Sequence, residues 1–150
     1  MERAQTCLAT ALRQAAADAT RLYDEALASS GLKVTMLRPL AIASDDPGVS
    51  ISELGRKLGL DRSTMARNLK VLERGGHVVV RSGRDDRSRG VHITDHGRKA
   101  LGEAMPLWRA AQKEMAARLG DERETLLALL GATRSAPTSE RPRAEQGDVG

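Results

Sequence analysis

Two short stretches hold the side chains best suited to chemistry. In DRSTMARNLK, residues 61–70, the polar residues Arg62, Ser63, Thr64, Arg67, Asn68 and Lys70 are spaced around apolar positions. In RSGRDDRSRGVHITDHG, residues 81–97, Arg84, Asp85, Arg87 and Arg89 crowd a short tip. An arginine fork matches guanine O6/N7, and an asparagine amide matches adenine N6/N7, each as a bidentate pair. Serine and threonine near a helix start suit phosphate, assisted by the helix dipole. Arginines on a loop beside such a helix sense the negative potential of a narrow minor groove. A carboxylate two residues from an arginine can hold its fork in one orientation. Asp85 therefore reads as a brace for Arg87, with Arg84 and Arg89 as backbone contacts. This is the chemistry of polyanion recognition rather than of bond making.

Charge supports it. Residues 49–99 hold 12 Lys/Arg against 6 Asp/Glu, whereas the rest of the chain holds 12 against 14. All of the excess positive charge lies in the middle third, as expected of a localised face for a polyanion. No acidic residue occurs from 62 to 72, although a solvated helix face of that length usually mixes signs.

Other chemistries find little support. Ser63 and Thr64 with His77 and Asp61 suggest a nucleophile triad, but no G-x-S-x-G turn or oxyanion loop accompanies them. His77, His92 and His96 are scattered, so a structural role is expected and no metal site. No glycine loop for phosphate is present, no cofactor is implied, and the chain does not read as an enzyme. The single cysteine, Cys7, excludes an internal disulfide and fits a reducing cytoplasm. Cys7 is either a redox sensor or a small apolar residue at an interface; only Arg3 and the helix start would lower its thiol pKa. No apolar run is long enough for a membrane span or a secretory signal.

These side chains need a framework. Leu8, Leu12, Ala15, Ala19, Leu22 and Ala26 form an apolar stripe on a helix over 5–28, and Gly31 stops it. A second helix is expected over 34–44, with Thr35 as its cap so that Pro39 falls near the first turn. DDPG, 45–48, is a turn. Ser50 and Glu53 have capping-box spacing for a helix ended by Gly59. Asp61 then caps a helix through Met65, Leu69 and Leu72 to Gly75-Gly76. Two helices joined so closely form a helix-turn-helix. The β-branched runs 77–82 and 90–94 flank the Arg/Asp tip as a hairpin. Thr94 caps a long helix carrying Leu101, Met105, Trp108, Gln112, Met115 and Leu119, with a bend expected at Pro106. Gly120 and Asp121 break it ahead of a short apolar helix ending at Leu126–Leu130. From Ser135 onward the composition predicts disorder.

A helix-turn-helix followed directly by a hairpin is a winged helix. At this point L-x-R-S-T-x-x-R-x-x-x-x-L-E-x-x-G at 60–76, Asp85-x-Arg87, and Ile93-Thr94-x-x-Gly97 together resemble the MarR family of bacterial winged-helix regulators. The likeness spans roughly residues 5–131. It implies a mainly α fold with a small β-hairpin wing: a winged helix-turn-helix lobe flanked by N- and C-terminal dimerisation helices. The organisation expected is a dimerisation helix over 1–32, a DNA-binding lobe over 33–97, C-terminal dimerisation helices over 98–134, and a disordered tail over 135–150.

By resemblance, residues 62–70 supply the recognition helix, Arg87 enters the minor groove, and Asp85 is its partner. The same resemblance implies a cytoplasmic homodimer on a pseudo-palindromic double-stranded DNA operator. It also implies a repressor relieved by a small-molecule inducer or an oxidant. The competing reading is a winged-helix assembly module that binds protein partners without reading DNA. Family members often line a ligand cavity with aromatics, for which this chain offers only Tyr23 and Trp108.

Overall fold

The computed structural model describes residues 7–83 and 89–133. The tail expected to be disordered therefore lies outside the described residues. In chain order the elements are α1 (Leu8–Leu27), a 3-10 turn (Ala28–Ser30), α2 (Val34–Asp45), β1 (Val49–Ser50), α3 (Ile51–Leu58), α4 (Arg62–Arg74), β2 (Val78–Ser82), β3 (Arg89–Ile93), α5 (Asp95–Leu119), a 3-10 turn (Gly120–Glu122) and α6 (Arg123–Ala132). The chain divides into two compact units, Met1–Glu114 and Met115–Gly150.

The first unit is a winged helix. Its core joins Leu27, Leu32, Leu37 and Leu40 to Leu54 of α3, to Met65, Leu69 and Leu72 of α4, and to Val78, Val91 and Ile93 of the sheet. The apolar positions expected on the recognition helix are thus buried, which turns its polar positions outward. The sheet is antiparallel with strand order β1-β3-β2. Its hairpin pairs Val78 with Ile93 and Ser82 with Arg89. The strand β1, which pairs Val49 with Val91, was not legible in the sequence because two residues show no periodicity.

Caps account for most element boundaries. Ser50 Oγ accepts from the Glu53 amide at 3.1 Å, and Gly59 ends α3 at φ 67. Thr94 Oγ1 accepts from the Gly97 amide at 2.9 Å, as its position before α5 predicts. One cap differs from expectation. Lys33, not Thr35, is the N-cap of α2, and it offers no side-chain bond. Asp24 on α1 supplies it instead, accepting from the Val34 amide at 2.8 Å. Pro39 consequently lies two residues deeper than expected, buried within a helix that continues past it.

Helix α5 turns a different face to the core than its large apolar residues suggest. Gly97, Ala100, Ala104 and Ala111 are its buried residues. Leu101, Met105 and Trp108 are only half-buried beside them. Small side chains let α5 approach the lobe closely, and the larger stripe is left partly in solvent. On α1 the apolar stripe is likewise uncovered, with Leu8 78% and Leu12 39% exposed. In the second unit, α6 buries no residue, and Leu126, Leu127, Leu129 and Leu130 all face solvent. No helix among the described residues is long and apolar enough to cross a membrane.

Candidate DNA interface

The recognition helix begins in a compact hydrogen-bonded array. Asp61 accepts from the Thr64 amide at 2.9 Å, from Thr64 Oγ1 at 2.6 Å and from Ser63 Oγ at 2.6 Å. These donors, the Ser63 hydroxyl foremost, hold the Asp61 carboxyl well below the usual carboxylate range. Asp61 is therefore an anion at any working pH, and an anionic carboxylate only accepts. Both hydroxyl protons must point at it. Arg67 Nη2 in turn donates to Thr64 Oγ1 at 3.4 Å, a long contact that extends the array toward the guanidinium.

This array bears on how Ser63 and Thr64 can meet DNA. While the Ser63 and Thr64 hydroxyls donate to Asp61, they have no proton to give a phosphate. Outward, Ser63 and Thr64 present lone pairs, which match donors such as cytosine N4 or adenine N6. Arg62, Ser63, Arg67 and Lys70 are exposed, whereas Thr64 and Asn68 are half-buried.

The tight turn into the helix depends on a residue the sequence did not single out. Gly55 is buried in α3, and a Cβ there would lie 2.9 Å from the Leu60 carbonyl oxygen. The Leu60 amide donates to the Gly55 carbonyl at 2.8 Å, so the two backbones touch where the chain reverses. A glycine in the middle of an otherwise good helix was the available signal, because it costs about 1 kcal/mol relative to alanine unless something needs the space.

The base of the wing is built on the same device. Gly90 on β3 is buried, and a Cβ there would lie 2.6 Å from both the Gly48 carbonyl oxygen and Gly83 Cα. The Gly48 amide donates to the Val91 carbonyl at 3.0 Å, with Gly48 at φ 83. Three glycines therefore let the β1 turn and both wing strands converge. Arg81 and Arg89 are exposed where the hairpin leaves this point. Arg84, Asp85 and Arg87 lie outside the described residues.

Of the remaining candidates, Cys7 is exposed and occupies the N-cap of α1. The Thr10 amide first, then its hydroxyl and the Ala9 amide, lowers the thiol pKa. Serine is the better cap at such a position. Cys7→Ser should therefore leave α1 and DNA binding unchanged in reducing buffer. If the thiol senses oxidant, the variant alone should stay on DNA when peroxide is added. Release of both proteins, or of neither, in a gel-shift assay refutes the sensor.

The histidines are less scattered than their numbering suggests. His77 and His96 stack, ring centroids 4.8 Å apart and 13° from parallel. His92 Nε2 lies 3.1 Å from the Ser82 carbonyl oxygen across the hairpin. Among the described residues no group of three or more His, Cys, Asp or Glu could hold a metal ion.

Comparison with known proteins matches this geometry. A MarR family sequence model matches residues 30–88. The crystal structure of the M. tuberculosis transcriptional regulator MosR in complex with DNA is 37% identical with a TM-score of 0.74, covering 84% of this chain and 92% of that one. The transcriptional repressor CouR bound to p-coumaroyl-CoA is 26% identical with a TM-score of 0.77, covering 88% and 94%. The HTH-type transcriptional regulator TtmR of Methylorubrum extorquens (strain PA1) is 34% identical over 84 residues, 55% of this chain. That match spans 43% of TtmR, so the chain aligns with under half of this relative's length. The relatives reported are all named as transcriptional regulators or repressors, and none as an enzyme.

Proposed function

Because the chain belongs to the MarR family, we propose that it is a dimeric, sequence-specific DNA-binding transcriptional regulator, a repressor released by a small ligand or an oxidant. One observation carries the reading. The outer face of α4 holds base-reading and cationic groups, no acid before Glu73 near its C-terminal end, and a start organised by Asp61, in a chain 37% identical to a regulator crystallised with DNA. Arg67 and Asn68 read base edges, Ser63 and Thr64 accept from base amino groups, and Arg62 and Lys70 meet phosphate. The wing arginines Arg84, Arg87 and Arg89 follow the adjoining backbone and minor groove, with Asp85 bracing Arg87. A homodimer places two such helices on a pseudo-palindromic operator.

Dimerisation is supported by what a single chain leaves uncovered. Exposed leucines on α1 and on α6 each form apolar surface of a kind that marks an interface. Light scattering should give twice the chain mass at micromolar concentration; a stable folded monomer overturns this part. Release by a small ligand is supported by CouR, whose structure holds p-coumaroyl-CoA.

The test of the whole reading is fluorescence anisotropy with promoter DNA from beside the gene against scrambled duplex. Preference for the promoter is the expected result, and equal binding of both refutes specific readout. On the bound duplex, Arg87→Ala should cost roughly 1–3 kcal/mol. Asp85→Ala removes repulsion from DNA yet frees Arg87, which raises the ordering cost on binding. It should lower the ratio of promoter to scrambled binding with little change in total affinity. A wing that is only a solvated loop would leave both variants at wild-type affinity.

A further inference from the structure

His77 is the buried polar side chain of the described core, 9% exposed, and its Nδ1 has no hydrogen-bond partner. It sits where three parts of the lobe are tied together. Its amide donates to the Leu72 carbonyl at the end of α4, at 2.9 Å. Its carbonyl accepts from the Thr94 amide at 3.0 Å and from Thr94 Oγ1 at 3.1 Å, at the start of α5. Val78, the next residue, opens the wing strand β2. The ring is held between Gly75, where a Cβ would lie 2.8 Å from its Cδ2, and the stacked ring of His96.

Beside the two rings is a cavity of about 340 Å³, bordered by Ser30, Gly31, Lys99, Ala100 and Glu103. The charged or titratable groups facing it are thus His96, Lys99 and Glu103, all from α5. Helix α4 meets the ring at Gly75, and the first 3-10 turn contributes Ser30.

A neutral imidazole has one N–H and one lone pair. With its lone pair at Nδ1, the His77 ring leaves an acceptor unpaired. Protonation would instead put a donor and a positive charge at that buried, partnerless atom, beside a second titratable ring and in a cavity that Lys99 also borders. Stacked rings 4.8 Å apart cannot both be charged without repulsion.

We propose that the His77–His96 pair is an acid-sensitive pin: protonation of His77 loosens the joint between the recognition helix, the wing and α5, and so weakens DNA binding. The DNA readout rests on the function proposed above, whereas the pin does not. Burial first, and the His96 charge second, hold the His77 pKa below the ordinary histidine value. The stabilisation from a neutral His77 is complete above that ordinary value, about 6.5, and is lost as the pH falls through the lower folded value.

The sign makes the proposal testable. Binding to a polyanion ordinarily strengthens on acidification as exposed histidines gain charge. The pin predicts the reverse. At constant ionic strength, anisotropy on the promoter duplex should show wild type losing roughly tenfold or more in affinity from about pH 7.5 to about pH 5. His77→Gln, which cannot titrate, should lose none. Wild-type affinity that holds or rises in acid overturns the pin, as does an equal loss in the variant.

Nitrogen NMR of the wild-type imidazoles gives a readout independent of DNA and of the variant's folding. The His77 titration should move the Leu72, His77 and Thr94 amide resonances with it. A His77 that titrates while those amides stay fixed refutes the pin. Failure of wild type to bind promoter DNA at about pH 7.5 would refute the proposed function instead, leaving the NMR titration to decide the pin.

Discussion

Raising the salt from about 50 to about 200 mM should weaken promoter binding on the order of a thousandfold or more. The size follows from how the positive charge is distributed. Arg62, Arg67, Lys70, Arg81 and Arg89 are all exposed along the recognition helix and the hairpin, and the sequence adds Arg84 and Arg87 between residues 82 and 89. A dimer doubles that set. If about half of the doubled set reaches phosphate, roughly 6–10 condensed cations are released from the duplex on binding. Anisotropy titrations at several salt concentrations would give the slope directly. A flat response would mean that the basic surface meets no DNA backbone.

A single methyl group at Gly97 should have the largest effect on folding. A Cβ there would lie 2.1 Å from the His77 carbonyl oxygen and 2.9 Å from Ile93 Cγ1. The carbonyl cannot move alone, because it accepts from the Thr94 amide and shares the Thr94 hydroxyl with the Gly76 carbonyl, which is nearer at 2.6 Å. Helix α5 must therefore lift from the wing strand, straining its own N-cap. Overpacking and cap loss together cost roughly 2–5 kcal/mol, against about 1 kcal/mol gained from alanine's helix propensity. Gly97→Ala should lower the melting temperature by about 10 °C. Gly102, on the same helix, has nothing within 4 Å of a built Cβ. Gly102→Ala should then stabilise by roughly 0.5–1 kcal/mol. The same substitution five residues along one helix is expected to change sign. Thermal melts followed by circular dichroism would check it, and equal shifts would show that the close approach at His77 is not maintained in solution.

Much of the site was legible because its determinants are local. Met65, Leu69 and Leu72 recur at helical spacing, so their burial and the outward turn of Arg62, Ser63, Arg67 and Lys70 followed from periodicity. The Asp61 and Thr94 caps act over three residues. The hairpin followed from two β-branched runs about a turn. The Asp61 array was equally local, since its donors lie two and three residues further along the chain.

The rest depended on residues far apart in the chain. The cap of α2 comes from Asp24, ten residues before the amide that it holds. The strand β1 exists because β3 returns beside it, bringing Val91 to Val49. Gly90 is required because Gly48 and Gly83 converge on it, and His77 finds His96 only when α5 begins against the wing. On α5, the large apolar stripe was visible in the sequence, but close approach to the lobe selected the alanine face for the core. Spacing along the chain thus determined the helices, their caps, the hairpin and the basic outer face, because those rest on contacts within a turn or two. Which glycines had to be glycine, which face of α5 was buried and which histidines met were decided by tertiary packing, where the shape of one backbone limits how near another can come.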